Sequence, residues 1–103
     1  MSGLSKLEER VAADVFKAEV RRWAAQIGVE PKEIHVRPMT RKWASASSAG
    51  RLTFDSDLLT EPPDKRAEII VHELVHLKIG NHGSLFRNLV KSHLVKGGSG
   101  NGG

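Results

Sequence analysis

From Leu4 to Ile27, apolar residues recur at spacings of three to five, at Leu7, Val11, Val15, Ala18, Trp23 and Ile27. That spacing predicts a helix with a single apolar stripe. Ser5 followed by Glu8 reads as a capping box, Gly28 as a left-handed stop, and Pro31 lies beyond it. The pattern then changes to alternation. Glu33 to Met39 sets Ile34 and Val36 against His35 and Arg37, and Leu52 to Leu58 sets Leu52, Phe54 and Ser56 against Thr53 and Asp55. Lys42 to Ser47 is small and polar apart from Trp43. These segments predict three short strands, the last two joined as a hairpin through Ser47-Ser48-Ala49-Gly50. Pro38 has no N–H for a ladder, so the end of the first strand belongs at an edge or a bulge.

Thr60-Glu61-Pro62-Pro63-Asp64 is a helix-start signal, and a helix is expected from about Pro63 to Ile79. Its apolar residues (Ala67, Ile69, Ile70, Val71, Leu74, Val75, Leu77, Ile79) occupy more than one face, which marks it as the central, most buried helix. Gly80 ends it. Ser84 is expected to cap a last helix carrying Leu85, Phe86, Leu89, Val90 and Leu94 on one side. Residues 97–103 (GGSGNGG) have nothing to bury and read as a disordered tail. The order helix, strands, helix, helix is an α+β arrangement.

At 103 residues the chain has room for one domain, expected over residues 1–96. No apolar run reaches the roughly 20 residues of a bilayer span, and MSGLSKLEERVAAD lacks the apolar middle of a signal peptide, so a soluble, cytoplasmic protein is expected. The net charge of +4 comes from scattered Lys and Arg with no block of like charge, which describes a mildly basic solvated surface. Cysteine is absent, which excludes disulfides, thiol nucleophiles and thiolate metal sites. A transition metal would have to be held by imidazole and carboxylate, so the five histidines become the residues of interest.

Three of them are grouped. His72-Glu73-Leu74-Val75-His76 is an HExxH pattern on the central helix. Residues four apart on a helix stand about 40° apart in projection and one turn apart in height, so both imidazoles can reach one ion. Glu73 is angled away from ligation yet within reach of a metal-bound water, the arrangement of hydrolytic zinc. His82 lies six residues after His76, past the Gly80-Asn81 stop, where the chain can swing back to complete a three-His shell. The open fourth position would take water, with Glu73 as general base and acid. The same spacing occurs in metzincins, but there the glycine falls three residues after the second His and a Met-turn follows. Here the glycine is Gly80, four residues on, and the only methionines, Met1 and Met39, lie upstream.

Two stretches carry a different resemblance. TRKWASASSAGRLTFDSDLL is similar to the basic, Trp-containing hairpin of the YgjP-like metallopeptidase family, and VHELVHLKIGNHGSLF to its HELxHL…NHSxxFW signature. These small zincins are related to the minigluzincins and, more distantly, to SprT-type proteases. The resemblance implies a minimal zincin-like fold, one zinc ion on His72, His76 and His82, Glu73 as general base and acid, and a sheet edge that binds an extended peptide. Ala44 and Ala46 stand where glycine and cysteine are common in the family. Arg87 replaces its usual tryptophan, altering the wall behind the site.

The remaining polar residues have simpler readings. Asn81 and Gly83 provide turn geometry, while His35 on the polar side of a strand and His93 near the end of the last helix are bystanders. The chain has no Tyr to stabilise a tetrahedral oxyanion, which leaves His93, Arg87, Arg41 or a backbone amide for that task. The expected protein is a zinc-dependent metallopeptidase acting on a peptide or unfolded protein laid along the strand from Leu52 to Ser56. The alternative is a zinc-stabilised module binding protein or nucleic acid without turnover, and a DNA-associated protease is a third reading.

Overall fold

A computed structural model describes residues 6–79 and 83–99. The chain forms α1 (Lys6–Ile27), β1 (Glu33–Arg37), β2 (Ala44–Ala46), β3 (Arg51–Asp55), a 3-10 turn (Ser56–Thr60), α2 (Pro63–Ile79) and α3 (Ser84–Ser99). Three helices pack around a small mixed sheet of order β1-β3-β2, with β1 parallel and β2 antiparallel to β3.

The buried face of α1 differs from the expected stripe. Leu7, Val11 and Val15 are exposed, and the residues in the core are Phe16, Val20, Trp23, Ala24 and Ile27. Trp23 and Ile27 of the expected stripe are buried, while Ala18 is exposed and Phe16, Val20 and Ala24 take the remaining core positions; both sets have helical spacing, so periodicity alone did not choose between them. The helix ends as read: Gly28 adopts φ +88°, and the Gly28 and Val29 N–H groups both donate to the Ala24 carbonyl. The Lys78 ammonium of α2 donates to the Ile27 carbonyl at 2.6 Å, a cation on the negative end of α1. The proposed cap Ser5 lies outside the described residues.

The hairpin forms where the turn residues predicted it. The Gly50 N–H donates to the Ser47 carbonyl, the Ser47 N–H donates to the Arg51 carbonyl, and Gly50 takes φ +96°. β3 is shorter than the alternation from Leu52 to Leu58 implied. At Asp55 the carboxylate accepts the N–H groups of Met39 and Asp57, which turns the chain into the 3-10 segment. Asp55 and Thr53 are buried along with Leu52 and Phe54, because β3 is the central strand and is covered on both faces.

α2 has the predicted bounds, starting with the Arg66 N–H on the Pro62 carbonyl, and buries Ile70, Val71, Leu74 and Val75 completely. Arg66 joins it to its neighbours, donating to Glu19 of α1 at 3.1 Å and to the Glu61 carbonyl at 2.7 Å. α3 starts from the Gly83 carbonyl, which accepts the Arg87 N–H, so Ser84 is the first helical residue and not the cap. It runs through Ser99, three residues into the segment read as tail. No helix among the described residues is long and apolar enough to cross a membrane.

Candidate metal centre and peptide groove

α2 carries the candidate site residues on the flank of its buried face. Ile69, His72, Glu73 and His76 follow one another at spacings of three, one and three, forming a half-buried stripe beside the core residues. Ligand atoms of His72, Glu73 and His76 lie within 4.8 Å of one another. The two imidazoles meet at 4.9 Å between centroids and 71° between planes, so they converge without stacking flat.

Phe86 of α3 sets their attitude. It is 2% exposed, and its ring meets His72 at 5.0 Å and His76 at 4.8 Å between centroids. In the sequence this residue was legible as core and as part of the family signature. Its contact with both imidazoles follows only from how α3 packs against α2. Arg87, the next residue, is exposed.

A metal is compatible with this donor set. Two imidazoles one turn apart match the half-site of a tetrahedral hydrolytic centre, and a carboxylate beside them can act on a water. The third expected ligand, His82, lies outside the described residues with Gly80 and Asn81. Burial raises the Glu73 carboxyl above its ordinary range, while the charge of Lys42 acts in the opposite direction. Lys42 as a neighbour of Glu73 was not foreseen; only the hairpin brings the two together.

The groove beside these residues runs between α2 and β2. Its clefts, about 440 Å³ each, flank the stripe: one touches Lys42, Trp43, Ala44, His72 and Glu73, the other Ala46, Ser47 and His76. β2 is an edge strand, whereas the stretch from Leu52 to Ser56, expected to receive substrate, falls in the central β3 and the first residue of the 3-10 turn. Both sides of β3 are already paired, so it has no hydrogen-bonding edge to offer.

The exposed register of β2 follows from the ladder. Trp43 pairs with Asp55 and Ser47 with Arg51 through backbone hydrogen bonds, so Ser45 opposite Thr53 is also a hydrogen-bonded pair. The N–H and C=O groups of Ala44 and Ala46 therefore point away from β3, into the groove side of the edge.

The other histidines stay outside the site. His35 Nε2 is 2.7 Å from Glu33 Oε1 on the exposed face of β1, with Arg51 on the same carboxylate. This hydrogen bond and the Arg51 charge hold Glu33 below the usual carboxylate range. The Gln26 amide of α1 donates to the His93 carbonyl at 3.0 Å and lies 3.3 Å from His93 Nδ1, which fixes Nδ1 as the acceptor. Burial, with Lys96 and Lys78 nearby, holds the His93 imidazole below its ordinary range. His93 thus ties α3 to α1, and neither Arg41 nor Arg87 lines the clefts beside Glu73 and His76.

The family model described as "YgjP-like, metallopeptidase domain" matches residues 2–96. No curated protein matches the chain. Among solved structures, the metallopeptidase zymogen of Methanocaldococcus jannaschii jannalysin is 29% identical with a TM-score of 0.69, over 75% of this chain and 79% of that one. The metallopeptidase zymogen of Pyrococcus abyssi abylysin is 25% identical with a TM-score of 0.66, over 74% of this chain and 76% of that one.

Proposed function

The chain belongs to the YgjP-like metallopeptidase family, and from that premise we propose that it is a zinc-dependent peptidase, a single domain over residues 1–96, with Glu73 as general base and acid. His72, His76 and His82 would hold one zinc ion. Bound there, zinc lowers the pKa of a coordinated water and polarises the scissile carbonyl. The observation that carries the reading is the convergence of His72, Glu73 and His76 on a groove bordered by β2, the edge strand of the sheet.

Each residue then has a task. Phe86 keeps the two imidazoles facing the same point. An extended peptide, or a loop of an unfolded protein, adds as a strand antiparallel to β2 and pairs with the outward N–H and C=O groups of Ala44 and Ala46. That pairing holds the scissile bond over Glu73. Glu73 takes a proton from the attacking water and delivers it to the departing amine. Its half-buried position favours this, because a carboxylate kept from full solvation is a stronger base.

The decisive comparison is zinc content and cleavage of an unfolded protein by wild type and Glu73→Gln. The variant should retain one zinc per chain and lose at least about 100-fold in rate. Equal cleavage by the two forms would refute the role of Glu73. Zinc binding without cleavage by either would favour a zinc-stabilised binding module.

A further inference from the structure

The cleft at the Lys42 end of the groove has a charge arrangement that the proposed hydrolysis does not use. It is lined by Lys42, Trp43, Ala44, Lys65, Glu68, Ile69, His72, Glu73 and Val90. The Lys65 ammonium lies 5.3 Å from the centroid of the Trp43 ring, a cation–π contact that keeps it over the cleft. Neither Lys42 nor Lys65 has an ion-pair partner among the described residues, and Glu68, one turn from Lys65, is exposed. Lys65 also stands in the first turn of α2, where the helix dipole is positive and a lysine is mildly unfavourable. Lys42 and Lys65 therefore stand together at one end of the groove, outside the ion pairs formed among the described residues, with Lys42 near enough to Glu73 to act on its carboxyl.

Direction along the groove gives this end a meaning. One cleft joins Lys42–Ala44 to Lys65–His72 and the other joins Ala46–Ser48 to His76–Ile79, so β2 and α2 run the same way along it. A peptide antiparallel to β2 has its C-terminal half at the Lys42 end. We propose that this cleft is a specificity subsite, in which Lys42, Lys65 and the face of Trp43 select a peptide carboxylate just C-terminal to the scissile bond. The inference rests on the peptidase reading above. The carboxylate is either an acidic side chain or the C-terminus of a short peptide, and the two share one chemistry.

The test uses the zinc-loaded full chain and one peptide with Glu, Gln or Lys after the scissile bond, each as free acid and as C-terminal amide. The Glu peptide should be cleaved with kcat/KM about tenfold above the Gln peptide, since two partly exposed lysines contribute a few-fold each. A gain that follows the side chain identifies an acidic residue as the ligand, and one that follows the free acid identifies the chain end. In Lys42→Gln/Lys65→Gln the preference should fall to within about twofold, and in Lys42→Glu/Lys65→Glu it should reverse toward the Lys peptide. A merely structural role for the lysines would not produce reversal.

Binding of the same peptides to Glu73→Gln, followed by the indole N–H resonance of Trp43, provides a readout independent of turnover. If nothing is cleaved but the acidic peptide alone binds at Trp43, the peptidase reading fails and the carboxylate preference stands. Cleavage with no dependence on charge leaves the peptidase reading intact and overturns the subsite. Stronger displacement of the Trp43 signal by a single-stranded oligonucleotide than by the acidic peptide overturns it too, in favour of nucleic acid.

Discussion

At the residue scale, the proposed centre is framed by a side chain that would touch no reacting atom. Phe86 is buried against both His72 and His76. Phe86→Ala should cost about 3 to 5 kcal/mol from the lost burial and the cavity left behind. Phe86→Leu should fold with a smaller loss yet weaken zinc binding about tenfold, because the imidazoles lose the flat surface that orients them. Denaturant midpoints and chelator competition separate these effects. His93 makes a pH prediction. Its folded-state pKa is depressed by burial, Lys96 and Lys78, so the unfolded chain takes up the proton first as pH falls. Stability should therefore drop as pH falls below about 6.5, the unfolded value, toward the lower folded one. His93→Gln should flatten that part of the pH dependence in urea titrations. The proximity of His72, Glu73 and His76 was legible in the sequence because i and i+4 on a helix share a face whatever surrounds it. Phe86 and Lys42 were not legible as neighbours of these groups, since they come from elements far away in the chain.

At the element scale, glycines and carbonyl caps set where the groove is. Gly50 closes the hairpin at φ +96°, and a Cβ there would sit 3.2 Å from the Lys32 side chain. The same turn anchors β1, because the Lys32 N–H donates to the Gly50 carbonyl at 2.8 Å. Gly50→Ala should destabilise the fold by about 1 to 2 kcal/mol, read from thermal or urea unfolding. It should also lower peptide cleavage, because the turn holds β2 in place. The hairpin, the start of α2 and the α1 stop were readable, since turn and cap chemistry acts over a few residues, while the α3 cap fell at Gly83, one residue before the Ser84 expected. The rank of the strands was not. A hairpin pattern is the same whether β2 or β3 takes the outer position, and only the parallel pairing of β1 with β3 makes β2 the edge that can receive substrate.

At the scale of the whole molecule, zinc and fold should be linked. An ion that binds the folded chain alone stabilises it by about 2.7 kcal/mol at a free concentration 100 times its Kd. For a domain of this size that is a rise in Tm of roughly 10 to 20 °C. Scanning calorimetry with and without chelator measures it, and no shift would mean that His72 and His76 bind no metal in the folded state. The sequence by itself determined the helices, the hairpin, the HExxH face and the family, because each depends on short-range spacing or on a contiguous motif. Only the tertiary structure decided which residues of α1 are buried, which strand is the edge, and that Phe86, Lys42 and Lys65 lie beside the His72, Glu73 and His76 stripe of α2. Those outcomes depend on how separate elements compete to bury the same apolar surface, and no local pattern records the result of that competition.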